Sequence, residues 1–471
     1  MPARRLSAVA EGELAVALRE LRVDLDLPEA FPADALTEAQ AARPTPPQLD
    51  LRHIPFITVD PPGSRDLDQA FHLKRTSSGY RVRYAIADVP GFVAPGGAVD
   101  DEARRRGQTY YAADGAVPLH PPVLSADRAS LLPNADRTAY VWTFDLDSAG
   151  AVAAARVERA FVRSRAQWDY AAAQDAVDRG DADSPVALLP VIGGLRIEQE
   201  RLRGGASLDL PDEVVIPDGA GYRIERRLPL PVERWNAQLS LLTGMAAASM
   251  MLDARVGILR TMPPPDADAV SAFRAKTIVL GLPWRVEVPY GEYLRTVDAS
   301  TPAGLAVLQA AASLFRGAGY TPFDGIVPEL TTQSAVAAPY AHVTAPLRRL
   351  VDRWGLVVCQ AVTAGREVPA WVRDGLGELP SLMDASSQRA SRLAAGTIDR
   401  VEAAVLVGRV GERFDAVVLE VRNGRARLYI AEPVVTASCV VPGSVRAGQR
   451  VSVRLERAVI ATGEVEFVLV E

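Results

Sequence analysis

Three aspartates fall within nine residues of the turn-rich segment Val59–Ala70, at Asp60, Asp66 and Asp68. Carboxylates this close raise one another's pKa unless a cationic group lies among them, and Arg65 is the one basic residue between them. Ligands that are all oxygen favour a hard cation such as Mg²⁺ or Mn²⁺ over zinc. Magnesium held by few carboxylates keeps positions open for phosphate oxygens, so the segment predicts a site for phosphodiester chemistry.

Two simpler interpretations of the segment stay open at this point. A solvated aspartate-rich turn and a structural Ca²⁺ loop both have similar composition. An EF-hand loop counted from Asp66 fails, because Ala70 and Phe71 stand where Asp and Gly belong.

Chain length and cysteine content limit the class of protein. With 471 residues, two to three domains are expected. The two cysteines, Cys359 and Cys439, are far apart in apolar surroundings, which indicates a reducing compartment and excludes cysteine-based zinc sites. Glu11 and Glu13 interrupt any apolar segment of a signal peptide, so a cytoplasmic protein is expected.

No membrane segment is expected either. The most apolar candidate, Ala237–Leu252, has sixteen residues and contains polar side chains, whereas a bilayer requires about 20 residues. This segment is therefore predicted to be a buried helix.

The formal net charge of −6 excludes a general polyanion binder, so any contact with nucleic acid has to be local. Basic runs occur at Arg104–Arg106, Arg226–Arg227 and Arg348–Arg349. Most such runs are solvated surfaces. Neither lysine of the chain, Lys74 or Lys276, lies in a Gly-x-x-x-x-Gly-Lys motif, which excludes a P-loop NTPase.

The patterns along the chain predict an α+β fold in three parts: residues 1–49, 50–402 and 403–471. The first is a short helical extension with a Pro-rich linker, and the second contains mixed sheets with surrounding helices. Alternating apolar and polar residues predict strands at Tyr80–Ile86 and Tyr140–Phe144. Helices are expected at Glu11–Arg22, Ala166–Val177, Glu198–Arg203, Trp235–Leu252, Ala267–Val279, Pro302–Arg316, Pro346–Val362 and Ser386–Val401.

The third part consists of short strands separated by glycine turns. Strands are expected at Arg413–Val421, Arg425–Ile430, Arg450–Leu455 and Val465–Val470. Five or six strands in under seventy residues favour a small closed barrel of the OB type. A β-barrel with a purely structural role is the alternative.

Three ordered sequence blocks resemble the catalytic domain of the ribonuclease II/R (RNB) family. The first is the segment from Asp60 to Ala70 followed by Ile86–Val89, and the last is Tyr340–Arg349, which is similar to the family pattern ending in Thr-Ser-Pro-Ile-Arg-Arg. Between them, Arg106–Tyr111 and Val117–Pro121 resemble the family's Arg-Gly and Pro-rich motifs. The resemblance covers residues 50–400, and the terminal barrel is similar to the family's RNA-binding domain.

The resemblance implies a 3′-to-5′ exoribonuclease that hydrolyses single-stranded RNA to 5′-mononucleotides with Mg²⁺, or with Mn²⁺ as an alternative. It assigns Asp60, Asp66, Asp68 and Gln69 to the metal, and Asp66, Asp68 and Arg348 to catalysis. The residues expected to contact RNA are Tyr111, His342, Thr344, Arg348 and Arg349. Tyr111 matches an aromatic that stacks on terminal bases, with core packing as its alternative. A monomer is expected.

Two departures from the family pattern qualify this interpretation. Gln69 replaces the second of two consecutive aspartates and brings no charge, so weaker metal affinity or a preference for Mn²⁺ is expected. A catalytically impaired RNA-binding protein on the same fold is therefore the alternative function, and a calcium-stabilised scaffold is a third. Residues 1–49 are too few for the two cold-shock barrels of typical members, so less processive degradation is expected.

Overall fold

The computed structural model describes residues 8–208, 210–218 and 221–470. Nothing is described of the side chains of residues 212–226, so Arg226 of the basic run Arg226–Arg227 lies outside the described side chains. Within the described ranges, no helix has the length and apolar character that crossing a membrane requires.

The described elements form a mixed α+β fold. The helices are α1 (Ala8–Asp24), α2 (Ala33–Ala41), α3 (Val89–Phe92), α4 (Ala98–Arg106), α5 (Tyr170–Asp178), α6 (Leu189–Leu202), α7 (Pro231–Ala254), α8 (Ala267–Val279), α9 (Tyr290–Arg295), α10 (Pro302–Ala312), α11 (Leu350–Thr363), α12 (Ala370–Gly375) and α13 (Leu379–Leu406). The strands up to the third part are β1 (Leu49–Asp50), β2 (Phe56–Asp60), β3 (Gln69–Thr76), β4 (Gly79–Ala87), β5 (Tyr110–Ala112), β6 (Gly115–Val117), β7 (Asp136–Asp147), β8 (Val152–Asp169), β9 (Asp212–Asp218), β10 (Gly221–Arg227), β11 (Val256–Thr261), β12 (Gly319–Asp324), β13 (Thr332–Gln333) and β14 (Ala338–Pro339). The last strands are β15 (Arg413–Arg422), β16 (Arg425–Ile430), β17 (Val435–Val440), β18 (Arg450–Val459) and β19 (Glu464–Leu469).

A six-stranded mixed sheet in the order β1-β8-β2-β3-β4-β7 organises the middle of the molecule. The long strand β8 runs parallel to β1 and β2 and also pairs antiparallel with β7, so the sheet curls back on itself. Strand β4 confirms the predicted alternation. Val82, Tyr84 and Ile86 point to one core, whereas Ala85 and Ala87 point to the other.

Each face of this sheet is covered by helices. The larger core lies between the sheet and helices α5, α6, α7 and α11. Helix α11 is buried along most of its length, with Trp354 at 0% exposure. The smaller core lies between the opposite face and helices α2, α3 and α4. The sheet therefore has two dry faces, and its connecting loops are left for a functional site.

The third part of the chain forms a closed five-stranded barrel in the order β15-β16-β17-β19-β18. β17 and β19 run parallel, whereas the other neighbouring strands run antiparallel. Closure leaves no free sheet edge, and the order agrees with the predicted OB-type barrel. Strand β17 was not predicted, although Val435, Ala437 and Cys439 alternate inward with outward-facing residues.

Helix α13 joins the barrel to the rest of the molecule. It runs through the predicted domain boundary at 402–403 without interruption. Its last residue, Leu406, packs in the barrel core, and Val401 packs against Leu14 and Leu18 of α1. One helix thus contacts the N-terminal segment and the barrel together.

Two predicted helices begin later than expected. The helix predicted from Ala166 starts at Tyr170, because β8 continues beside β2 as far as Asp169, whose side chain then caps α5 by accepting a hydrogen bond from Ala172 N. The helix predicted from Pro346 starts at Leu350. Residues 346–349 form a loop before the helix, and this loop carries Arg348.

Candidate active site

The three aspartates lie on the connection between β2 and β3. Strand β2 ends at Asp60 and β3 begins at Gln69. Between them, Gly63 adopts a φ of 78°, which glycine tolerates without strain. Leu67 is fully buried, and its backbone N–H donates to Ser130 Oγ at 2.9 Å. This anchor fixes the residues on either side of Leu67, which are two of the aspartates.

Asp68 connects this loop to the segment that carries Arg348. Its side chain is buried, at 3% exposure. Oδ1 accepts a hydrogen bond from the backbone N–H of Leu347 at 2.7 Å, and Oδ2 lies 3.2 Å from Arg348 Nε. The side chain of Arg348 is 45% exposed. The structure therefore brings together two predicted catalytic residues and leaves the guanidinium accessible to a ligand.

The aspartates are held in an environment that disfavours their charge. The pKa of Asp60 is raised to about 6, mainly by burial and to a smaller extent by Asp66, against the opposing effect of Arg348. Burial likewise raises the pKa of Asp68 to about 8, against the opposing effects of Arg348 and the Leu347 N–H. Additional positive charge beside these carboxylates would favour their ionised forms.

The donor atoms fit a hard divalent cation. Asp60 and Asp68 each have a buried Oδ2 that makes no hydrogen bond in the described part of the chain, and both interact electrostatically with Asp66. Across residues 8–208, 210–218 and 221–470, no group of three His, Cys, Asp or Glu side chains is arranged to hold a metal ion.

Gln69 contacts protein groups on both sides of its amide. Nε2 donates to the carbonyl of Thr344 at 2.7 Å, and Oε1 accepts a hydrogen bond from the Tyr84 hydroxyl at 2.5 Å. The same hydroxyl lies 2.8 Å from Ser240 Oγ. Gln69 thus links β3, β4 and α7 to the arginine segment, which comprises Thr344–Arg349. Its amide oxygen already accepts a hydrogen bond from the protein.

Arg349, the residue before α11, is held by Asp352 in the first turn of that helix. Its Nε and Nη2 atoms donate to the two carboxylate oxygens of Asp352, each at 2.8 Å. Asp352 also accepts a hydrogen bond from the backbone N–H of Ala345 at 2.6 Å. This bidentate pair shapes the turn that presents Arg348, and it uses the fork that an RNA phosphate would otherwise engage.

His342 and Thr344 lie behind Arg348 rather than on an open surface. His342 Nδ1 is 2.8 Å from the Tyr320 hydroxyl. Burial, followed by Arg349 and other arginines, holds the pKa of His342 well below its ordinary value, so the ring is neutral at pH 7. Thr344 is buried and contributes its carbonyl to Gln69. Neither side chain adds positive charge to the site.

Tyr111 projects from the β5–β6 hairpin toward the aspartate loop. It is 55% exposed, and its hydroxyl donates to Asp66 Oδ2 at 3.0 Å. Its neighbour Tyr110 is buried and donates to the Arg106 carbonyl at 2.6 Å. Successive strand residues point to opposite sides, so Tyr110 occupies the core and Tyr111 faces the site. Core packing of Tyr111, the alternative considered from the sequence, is wrong.

Three residues that order the site were not predicted: Tyr84, Ser240 and Asp352. Asp352 lies three positions after Arg349 on a helix, a spacing that favours ion pairs and could have identified it. Tyr84 and Ser240 gave no such signal, because their contacts with Gln69 depend on the packing of distant segments.

Comparison with known proteins agrees with this arrangement. The RNB domain model matches residues 48–362, and the model of the RNase II-type exonuclease C-terminal S1 domain matches residues 412–470. Ribonuclease R of Aquifex aeolicus (strain VF5) is 27% identical over 431 residues, which are 83% of this chain and 58% of that protein. The chain therefore spans little more than half the length of that relative.

Two solved structures share the fold. The apo form of Mycoplasma genitalium RNase R matches with a TM-score of 0.87 at 16% identity, over 97% of this chain and 78% of that chain, and the same protein is known in complex with ribose-methylated single-stranded RNA. Yeast Ssd1, a pseudonuclease, matches with a TM-score of 0.65 at 15% identity, over 85% of this chain and 52% of that chain. Because the RNB model covers more than half of its length, the chain belongs to the RNB family.

Proposed function

We propose that this protein is a metal-dependent 3′-to-5′ exoribonuclease that hydrolyses single-stranded RNA to 5′-mononucleotides. The observation that carries the proposal is the contact between Asp68 and Arg348, which places an acidic loop beside an exposed arginine. Membership of the RNB family supports the reaction class, and the complex of Mycoplasma RNase R with single-stranded RNA supports the substrate.

Asp60, Asp66 and Asp68 are the residues that would hold Mg²⁺ or Mn²⁺. When bound, the cation would supply electrophilic stabilisation to phosphate oxygens. Gln69 contributes indirectly in this proposal, because its amide oxygen accepts from Tyr84 and its Nε2 fixes the Thr344 carbonyl. Its part is to hold the loop against the arginine segment.

Arg348 is the group that would contact the scissile phosphate. A guanidinium offers several donors in a planar fork that matches two phosphate oxygens. The ion pair between Nε and Asp68 sets the orientation of the Arg348 side chain before substrate binds. The side chain is also exposed, so a phosphate can reach it. It would offset the charge that grows on the phosphate in the transition state.

Tyr111 would stack on a base near the 3′ end of the RNA. Its ring is exposed, and its hydroxyl is tied to Asp66 at 3.0 Å, so the ring is positioned beside the acidic loop. Stacking is tolerant of sequence because every base has a π-face. This arrangement suits an enzyme that removes nucleotides of any sequence.

A catalytically impaired RNA-binding protein is the second candidate. Gln69 favours it, because this residue stands where the family pattern has an aspartate and its amide is engaged by protein groups. The fold match to the pseudonuclease Ssd1 shows that the architecture also occurs without nuclease activity.

The two candidates are separated by incubating 5′-labelled single-stranded RNA with the purified protein in Mg²⁺, Mn²⁺ or EDTA. The exonuclease produces a ladder that shortens from the 3′ end and disappears in EDTA. Intact RNA that still shifts in a native gel would identify the impaired RNA-binding protein instead.

A further inference from the structure

A cleft of about 690 Å³ lies between α6 and α7, beside the start of β8. Its α6 side carries Arg196, Gln199 and Arg203, which recur at helical spacing. Its α7 side carries Leu242, Met245 and Ala246. None of these six residues belongs to the candidate active site.

Arg196 of the cleft is buried, and Arg203 is half-buried. Arg196 is 5% exposed, its Nη1 donates to the Gly150 carbonyl at 2.8 Å, and its Nε is buried with no partner in the described part of the chain. Arg203 Nε donates to the Val336 carbonyl at 2.8 Å, and its Nη2 is likewise buried without a described partner. Both bind neutral carbonyl groups only.

The carboxylate of Glu200, four residues after Arg196 on α6, is engaged by other groups. Glu200 acts electrostatically on Arg203, but its oxygens are taken by Ser207 at 2.7 Å and Gln238 at 2.8 Å, and Arg295 lies 3.4 Å away. Among the described residues, no carboxylate forms an ion pair with either arginine of the cleft.

The two guanidinium groups lie on the same side of the cleft and repel each other. Burial and, to a smaller extent, Arg203 together lower the pKa of Arg196 to about 10. An unpaired charge in the interior is costly, whereas an anion placed against both groups would offset their desolvation. The polar side of the cleft is therefore complementary to a carboxylate or phosphate.

The other wall is mostly aliphatic. Leu242, Met245, Ala246 and Met250 line it beside Ser249, and Leu202, at 64% exposure, stands at the rim. The lining contains no aromatic ring, whereas sites for nucleobases usually offer one for stacking. Methionine adapts to the shape of flexible chains. An aliphatic ligand body therefore fits this wall better than a base.

We propose that this cleft binds a medium-chain organic anion, with a carboxylate or phosphate head against Arg196 and Arg203 and an aliphatic chain along the α7 wall. Its volume lies within the usual range of small-molecule sites, about 300–1,000 Å³. The site is separate from the acidic loop and requires neither RNA nor metal.

Calorimetric titration of the full-length protein tests the proposal with four probes: sodium octanoate, octyl phosphate, 1-octanol and inorganic phosphate. We expect octanoate, octyl phosphate or both to bind at one site per chain. The tighter of the two shows whether the site prefers a carboxylate or a phosphate head group. Octanol and inorganic phosphate, each lacking half of the ligand, bind at least about tenfold more weakly.

Two variants assign the binding to the cleft. Arg196→Met keeps the length of the side chain and removes its charge, so affinity for the anion falls about 10- to 100-fold. Ala246→Phe fills the cleft from α7 without touching the arginines and also weakens binding. Arg201→Met is the matched control, because Arg201 lies on the same helix but pairs with Glu198 in solvent, and it leaves affinity unchanged.

Four results would overturn the proposal. The first is equal affinity for octanol and octanoate, and the second is binding of inorganic phosphate as tight as that of octyl phosphate. The third is the absence of saturable binding of either amphiphile in the millimolar range. The fourth is displacement of octanoate by single-stranded RNA. Unfolding of each variant is followed in parallel. Arg196→Met is expected to be at least as stable as the parent without ligand, because an unpaired buried charge is removed.

Discussion

At the scale of single residues, Asp68 has the largest role. It is buried beside Arg348 and connects two segments that are 279 positions apart in the chain. Asp68 and Arg348 were both predicted to be catalytic from the sequence blocks that resemble the RNB family. The sequence did not predict that Asp68 would be held by a backbone N–H on one oxygen and a guanidinium on the other, because these contacts exist only after the two segments pack together.

The pKa values of Asp60 and Asp68 predict a pH-dependent stability. Both folded-state values, about 6 and about 8, exceed the ordinary aspartate value of 3.8. The folded state therefore binds more protons than the unfolded state between pH 4 and 8, so the metal-free protein loses stability as pH rises through this window. We expect the free energy of unfolding in EDTA to fall by about 2 kcal/mol or more.

Urea unfolding at pH 5 and pH 8 measures this loss. Asp68→Asn mimics the protonated carboxyl and serves as the control, because it removes the larger of the two contributions and should flatten the profile. Stability that rises with pH in the parent protein would contradict the assignment of buried, protonated aspartates.

Neighbouring arginines are expected to respond differently to the same substitution. Arg348→Lys keeps the charge next to Asp68 but loses the planar fork, so the RNA cleavage rate should fall about 10²-fold or more while stability changes little. Arg349→Lys breaks the bidentate bond to Asp352 and should instead lower the free energy of unfolding by about 1–2 kcal/mol. Single-turnover cleavage and urea unfolding of both variants separate the two roles. Equal loss of cleavage in both would assign them one function.

At the scale of elements, the β5–β6 hairpin depends on the N-terminal helix. Arg22 of α1 lies 2.6 Å from Asp114 in the hairpin turn, and Leu21 packs in one cluster with Tyr110 and Val117. The hairpin that presents Tyr111 is thus supported from behind by α1.

Tyr111 predicts a specific change in the products of digestion. In Tyr111→Ala the stacking ring is lost, so binding of the RNA end should weaken by about 1–3 kcal/mol and the final undigested fragment should lengthen. Tyr111→Phe keeps the ring and loses only the hydrogen bond to Asp66, so its final fragment should match that of the parent. Gel analysis of exhaustive digests measures both. An unchanged end product in Tyr111→Ala would remove Tyr111 from the RNA site.

Some elements were predictable from the sequence with their observed bounds, whereas elements defined by their neighbours were not. Helix α8 was predicted with its observed bounds, Ala267–Val279, and β16 with its bounds, Arg425–Ile430. The segment from Ala166 was predicted as a helix, but pairing with β2 keeps its first residues in β8. Tertiary pairing overrides local helix preference there.

At the scale of the whole molecule, α13 couples the barrel to the central sheet region. The two cysteines can be used to follow the unfolding of the sheet region and of the barrel. Cys359 is buried in the larger core beneath the sheet, and Cys439 is buried in the barrel core. Since α13 packs against both regions, both cysteines should become reactive to a thiol reagent over the same range of urea concentration. Mass spectrometry of the labelled peptides assigns each site. Labelling of Cys439 at clearly lower urea would mean that the barrel unfolds by itself.

The most direct test of the central proposal compares the parent protein with Asp68→Asn in parallel RNA-binding and cleavage assays, with Mg²⁺ or Mn²⁺ present. Asp101→Asn, an exposed acid on α4, is the control. We predict that Asp68→Asn lowers cleavage by about 10²-fold or more while RNA affinity is kept, because the substitution removes a negative charge without removing a phosphate contact. Unchanged cleavage, or loss of binding together with cleavage, would contradict a catalytic role for Asp68.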